Sequence, residues 1–291
     1  MKVLVTGGLG FVGSNLVDKL RDCYGYEVTV IDNLCSESSS RDYMRDDVSY
    51  WIDDVRNIMH SKYVNKDFDV VYHLAALARI QPSFADPLTY LSIDIQGTAA
   101  VCEYARACNA RVVYAGSSSA YAGHFLNPYA FAKFTGEQVC ELYHKVYGMS
   151  TVTARFFNVY GDRQPTKGAY ATVVGIFEGL TAAQAPLTVT GDGEQRRDFT
   201  HIDDIVAGFV ALGEKDWSHT DETLIFNIGT GKNYSINELA RMFGGEIQYV
   251  PARPGEARNT LADNSLLQEK TGWRAKNDLE CYVENFLTNV K

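Results

Sequence analysis

Lys2-Val3-Leu4-Val5-Thr6-Gly7-Gly8-Leu9-Gly10-Phe11-Val12-Gly13 carries an aliphatic run directly into three spaced glycines. The run reads as a buried strand, and the glycines read as a tight turn that opens a helix. In such a turn backbone N–H groups close on a pyrophosphate, the helix N-terminus adds partial positive charge, and the last glycine lets helix and strand pack closely. A glycine turn alone is weak evidence. Its complement is Val30-Ile31-Asp32-Asn33, which ends a second aliphatic strand 19 residues after Gly13. A carboxylate there accepts both hydroxyls of an adenosine ribose. Together they predict dinucleotide binding at Gly7, Gly10, Phe11, Val12, Gly13, Asp32 and Asn33. Asp32 would repel a 2′-phosphate and no arginine adjoins it, so NAD is expected rather than NADP; the plain alternative is that Asp32 caps a turn.

Outward from this unit, β-branched runs alternate with segments of helical period as far as Phe157, the pattern of a parallel sheet with crossover helices. Strands are expected at Lys2–Thr6, Glu27–Ile31, Val48–Ile52, Val70–Leu74, Arg111–Ala115 and Thr151–Phe156. Helices are expected near Phe11–Cys23, Pro87–Cys108 and Pro128–Tyr147, the second opened by Asp86 as a cap and Pro87 in its first turn. The expected fold class is therefore α/β: a doubly wound parallel sheet over residues 1–157, with a smaller lobe over 158–291 where glycine and proline break the chain into short pieces. Some segments of that lobe could return to the sheet. Asp54 and Val55, after the third strand, suit the adenine edge, with Asp53 beside them. Leu74, Ala75 and Ala76, after the fourth, let backbone approach a cofactor.

The 291 residues carry 36 acidic and 27 basic side chains, a net charge of −9, and 46% hydrophobic residues. That composition supports a folded core and excludes a disordered chain or a small stapled peptide. An acidic surface repels nucleic acid and anionic lipid, so neither is an expected partner, and any anionic ligand needs a local basic site. No apolar run has the roughly 18 residues of a membrane span, and the first strand starts at Lys2, leaving no room for a signal peptide. A cytoplasmic protein is expected. Six cysteines without a C-x-x-C read as reduced core thiols, and six scattered histidines give no metal-ligand spacing, so no metal is assigned.

After the fifth strand come Ser117-Ser118-Ser119-Ala120, and eleven residues past Ser118 stands Tyr129-Ala130-Phe131-Ala132-Lys133. Helical spacing puts Tyr129 and Lys133 on one face, where the ammonium would lower the phenol's pKa and make it a general base. Ser118 would reach the same substrate oxygen. Tyr-x-x-x-Lys occurs by chance in many helices; its position downstream of a dinucleotide loop and a serine-ended strand gives it weight.

Taken together, Thr6–Gly13, Asp32-Asn33, His73–Ala76, Ser117–Ala120, Tyr129-x-x-x-Lys133 and Arg155–Gly161 resemble the extended short-chain dehydrogenase/reductases, most closely the UDP-sugar 4-epimerases. The likeness continues through Gly191–Phe199, Asn227–Gly231 and Arg253-Pro254-Gly255-Glu256. It implies Ser118, Tyr129 and Lys133 as the catalytic trio, with Tyr129, Lys133, Asp94 and Phe157 also at the NAD. It implies Asn158, Arg197, Arg253 and Glu256 as diphosphate and ribose ligands, with Thr172, Val173 and Thr188 in the uridine pocket. On residue chemistry alone, each arginine reads first as a solvated surface charge in a glycine-bounded loop. The resemblance further implies a homodimer paired through the helices near Pro87–Cys108 and Pro128–Tyr147.

Ser119-Ala120 stands where the related dehydratases carry an Asp-Glu pair, which leaves chemistry needing only a base and a hydride carrier; C4 epimerisation fits best. A nucleotide-sugar 4-keto reductase, or another oxidoreductase of this family, is the nearest alternative, and a non-catalytic NAD-sensing protein a lesser one. Three departures stand out. The segment between Ser118 and Tyr129 is about half the family's length, Asp94 replaces a frequent asparagine, and Ala78 a frequently basic residue. Thr260, small where some relatives are bulky, implies that N-acetylated hexoses fit.

Overall fold

The computed structural model describes residues 1–36, 39–60, 62–63, 67–220 and 224–290. Its strands are β1 (Lys2–Thr6), β2 (Glu27–Asp32), β3 (Ser49–Ile52), β4 (Val70–His73), β5 (Arg111–Ser117) and β6 (Thr151–Phe156), then β7 (Asn158–Tyr160), β8 (Leu187–Thr190), β9 (Arg196–His201), β10 (Ile225–Ile228), β11 (Asn233–Ser235) and β12 (Ile247–Val250). Seven of them form one sheet in the order β10-β6-β5-β4-β1-β2-β3. Every pairing in it is parallel. This is the expected doubly wound sheet. The chain order reverses between β1 and β4, so the loops leaving those two strands diverge and open a crevice at their carboxyl ends.

Alternation along β1 divides two cores. Val3 and Val5 face one side, packed with Leu16, Leu20, Tyr72 and Phe209, while Leu4 faces the other with Ile31, Val71, Val101 and Tyr104. A strand period of two puts neighbours on opposite faces, and burial on both faces explains the unbroken aliphatic run. β10 extends the sheet from beyond residue 158, pairing Ile225–Ile228 with Thr153–Phe156. The remaining strands belong to a smaller lobe with its own core of Tyr160, Phe177, Val189, Leu239 and Phe243.

Several expectations are refined. The Pro87–Cys108 stretch is continuous helix but contains a π turn at Ser92–Gln96, flanked by α-helix at Pro87–Leu91 and Gly97–Cys108. Asp86 does cap it, accepting from Thr89 N. Arg197 stands on β9 opposite Tyr234 of β11, in a strand rather than a loop. All six cysteines are free, but only Cys102 and Cys140 are core; Cys23, Cys35 and Cys281 are exposed because they fall at a helix end, in a loop and on an outer helix face. No helix among the described residues is long and apolar enough to cross a membrane, and no group of three His, Cys, Asp or Glu there could hold a metal.

One buried ion pair ties the helix Pro128–Tyr147 to the sheet. Arg155 of β6 grips Glu137 through both carboxylate oxygens, Nε at 2.9 Å and Nη2 at 2.6 Å, and the Glu137 side chain is 1% exposed. Removing the cation strands a carboxylate in the interior. Arg155→Met is expected to cost about 3–5 kcal/mol, and Arg155→Met with Glu137→Met to recover most of it, as read from urea midpoints.

Candidate functional site

A cleft of about 890 Å³ runs along the carboxyl ends of the sheet strands and under the smaller lobe. Its floor is the glycine turn. Gly7 has φ +71°, and a Cβ there would stand 2.8 Å from the Ala75 nitrogen; a Cβ on Gly13 would meet the Gly7 carbonyl and, at 2.7 Å, the Gly8 Cα. Only glycine lets the turn pack this closely against the backbone after β4 and against the start of the helix. The Thr6 hydroxyl fixes the opposite wall, accepting from Leu74 N at 3.2 Å and Ala75 N at 3.0 Å. The same hydroxyl bonds His73 Nδ1 at 2.7 Å, and His73 Nε2 reaches Thr98. Burial takes His73 down to about 3, so it works as a neutral strut.

Asp32 braces the turn as well as facing the cleft. Its two oxygens accept from Leu9 N at 2.9 Å and Leu34 N at 2.8 Å, and burial raises its carboxyl. The capping role and the ribose role are thus compatible, since each oxygen keeps a lone pair. Asn33 Nδ2 donates to Asp54 at 3.3 Å, and Arg56 holds the Asp54 carboxyl below the usual range. Asp53 is taken up by Asn57, Lys62 and Tyr63, while Val55 packs into the core. Gly10, Phe11, Val12, Ala76 and Phe157 line the same space.

Ser118, Tyr129 and Lys133 all face the cleft. Asn127 accepts from Ala130 N to start the helix that bears Tyr129 and Lys133. Lys133 Nζ, however, donates to the Ala115 carbonyl at 2.9 Å and lies 5.1 Å from the Tyr114 ring centroid. The expected depression of the phenol by Lys133 is not what this geometry produces. Burial raises Tyr129 above its ordinary value, and the opposing influences are a hydrogen bond with the Ser117 hydroxyl and the charge of Arg79. Burial likewise lowers Lys133, against the attraction of Asp94 and Glu137.

Asp94 is the one predicted site residue outside the cleft lining. It sits in the π turn, 1% exposed, with Oδ1 accepting from Leu77 N at 2.8 Å and Oδ2 without a partner among the described residues. Burial lifts its carboxyl to about 6 despite the nearby Lys133.

The roof comes from the smaller lobe. Asn158, Thr172, Val173, Thr188, Arg197, Arg253 and Glu256 line it together with Thr260. Arg197 Nη2 lies 3.8 Å from Glu256, and burial lowers its guanidinium, whereas Arg253 is exposed. Thr172 caps the helix Val173–Ala182 through Gly175 N. Arg79, Ser117 and Tyr170, to which the sequence assigned no role of their own, also line the cleft. A signal for Arg79 existed: the basic residue missing at Ala78 is present one position later.

A model of the NAD dependent epimerase/dehydratase family matches residues 3–229. The chain is 34% identical to a putative UDP-glucose 4-epimerase of Methanocaldococcus jannaschii over 99% of this chain and 98% of that protein. It is similar to the crystal structure of UDP-glucose 4-epimerase from Thermotoga maritima with UDP-glucose, at TM-score 0.90 and 30% identity, covering 100% of both chains. It is also similar to UDP-glucuronic acid 4-epimerase from Bacillus cereus in complex with UDP-glucuronic acid and NAD, at TM-score 0.86 and 27% identity, covering 100% of both.

Asp94 generates a prediction. Because its folded carboxyl stands above the ordinary value of 3.8, ionising it costs more in the fold than in the unfolded chain. Its stabilising contribution is complete below the ordinary value and is lost as pH rises through about 6. Without added NAD, Asp94→Asn should therefore gain about 2–3 kcal/mol on the wild type between pH 4 and pH 7, measured by urea unfolding at each pH.

Proposed function

The chain belongs to the NAD dependent epimerase/dehydratase family, and from that premise we propose that it interconverts the C4 epimers of a UDP-sugar with Tyr129 as the base. The observation that carries the reading is the meeting, in one cleft, of the glycine cradle, the half-buried Tyr129 beside Ser117 and Ser118, and the Arg197–Glu256 pair. The cradle that a Cβ would fill, with the Asp32 carboxylate at the end of β2, fits a dinucleotide. Gly7, Gly10–Gly13, Asp32, Asn33, Asp54, Val55 and Leu74–Ala76 would hold NAD, with Lys133 and Phe157 at its nicotinamide half. NAD bound there supplies a hydride acceptor and donor.

Residues 1–157 are then chiefly the cofactor half and 158–291 chiefly the sugar-nucleotide half. Arg197 and Arg253 present guanidinium forks to the diphosphate, and Glu256 and Asn158 offer acceptors and donors to ribose and phosphate. Thr172, Val173 and Thr188 form the uridine end. Tyr129 takes the proton from the sugar O4 as that carbon becomes a carbonyl, and returns it once the opposite face is presented. Ser118 holds the same oxygen, and Ser117 keeps the phenol oriented. Neither Ser119 nor Ala120 has the acid group that elimination of water needs, which favours epimerisation over dehydration. Exposed Leu88, Leu142, Val146 and Tyr147 on the helices Pro87–Leu91 and Pro128–Tyr147 support pairing as a homodimer.

The test is to incubate the purified protein, with no cofactor added, with UDP-glucose and UDP-N-acetylglucosamine separately and follow the galacto epimer by NMR. Either epimer supports the reading; silence from both, with NADH consumed on a 4-keto nucleotide sugar, moves it to a reductase. Tyr129→Phe is expected to lower kcat by about 10²–10⁴ while UDP-sugar affinity stays within a few-fold. Arg197→Ala should instead raise KM by about tenfold, from the loss of charge-assisted bonds to phosphate.

A further inference from the structure

Arg79 is half-buried in the wall of the cleft. All its bonds go to neutral carbonyls: Nε to Tyr170 O at 2.8 Å, Nη2 to the same oxygen, and Nη1 to Ala78 O at 3.0 Å. Its guanidinium centre lies 6.0 Å from the Tyr170 ring centroid. Among the described residues, the groups coupled to its charge are the phenols of Tyr129, Tyr170 and Tyr90, with no carboxylate. Other cations at the cleft are matched or solvated: Arg197 has Glu256 at 3.8 Å, and Arg253 faces water. A guanidinium has five N–H donors, so one on each Nη remains for a ligand. A desolvated cation without a counter-charge is costly, and the cost is relieved by an anion.

We infer that Arg79 binds a carboxylate carried on the hexose of the substrate, and so selects an anionic sugar over a neutral one. The inference rests on the epimerase reading, because it is Tyr129 at O4 that puts Arg79 beside the sugar. A carboxylate on a carbon next to C4 lies within reach: either C6 of a uronate or a carboxyl-bearing ether on C3. The diphosphate does not compete for this cation, since its own arginines stand on the opposite lobe. A neutral hexose leaves the guanidinium with hydroxyls alone.

The test is calorimetric binding of UDP-glucuronate against UDP-glucose, and of UDP-N-acetylmuramate against UDP-N-acetylglucosamine, to the wild type, Arg79→Gln and Arg79→Lys. At least one carboxylate sugar should bind the wild type about tenfold or more tighter than its neutral parent, the range of a charge-assisted bond. Which one does so identifies C6 or C3. Arg79→Gln should bring that ratio to about one and Arg79→Lys should keep part of it. The ratio is taken within each variant, so a general loss of affinity cancels. Ratios near one in the wild type, or a ratio unchanged in Arg79→Gln, overturn the inference. Epimerisation of neutral sugars with those null ratios leaves the proposed function standing alone. The expected ratios without epimerisation of any of the four sugars leave Arg79 standing and remove the epimerase reading.

Discussion

Between Gly7 and Ala75 there is no space for one more carbon atom. That closeness is set where the sheet order reverses, and the rest of the site follows from it. Thr6 at the end of β1 holds the backbone after β4 through Leu74 N and Ala75 N, and its hydroxyl is held in turn by a neutral His73 that bridges to Thr98. Asp32 at the end of β2 ties the far side of the turn through Leu9 N. The glycine turn is thereby held in place, and Gly7, Gly10 and Gly13 line the cleft above it.

Above that floor the chemistry is electrostatic. The chain carries a net charge of −9, yet Lys133, Arg79, Arg197 and Arg253 converge on one cleft. Lys133 is anchored by the Ala115 carbonyl and balanced by Asp94 and Glu137, the latter already gripped by Arg155. Tyr129 therefore has Arg79 and Ser117 as the groups that ease its ionisation, against burial. The cation that eases the phenol's ionisation is thus the one proposed to hold a sugar carboxylate, so the roles proposed for Tyr129 and Arg79 would be coupled.

The sheet was legible because both of its signals are local. The period of two in Lys2–Thr6 and the spacing of Gly7, Gly10 and Gly13 each answer to backbone geometry, and Asp32 follows from them. Tyr129 and Lys133 were legible as a pair because helical spacing puts both toward the cleft. Their division of labour was not, since it depends on which carbonyl captures the ammonium, a contact between helix and strand. Asp94 lies outside the cleft lining, in the π turn at Ser92–Gln96 and near Lys133, and a helical spacing read from the sequence gives no sign of that turn. Arg197 looked like a loop residue because Gly191 and Gly193 precede it and the strand it pairs with, β11, is three residues long and distant in sequence. Arg79 was hidden because its partner carbonyl, Tyr170, lies 91 positions away.

The proposed reaction oxidises C4 of a sugar and reduces it again inside this one cleft, with the O4 proton handled by Tyr129. The most direct measurement uses UDP-glucose, or the UDP-sugar found to turn over fastest, deuterated at C4, with the product analysed by NMR and mass spectrometry in ordinary water. The expected product is an epimer that keeps deuterium at C4. An epimer formed with its C4 deuterium replaced by solvent hydrogen would contradict it.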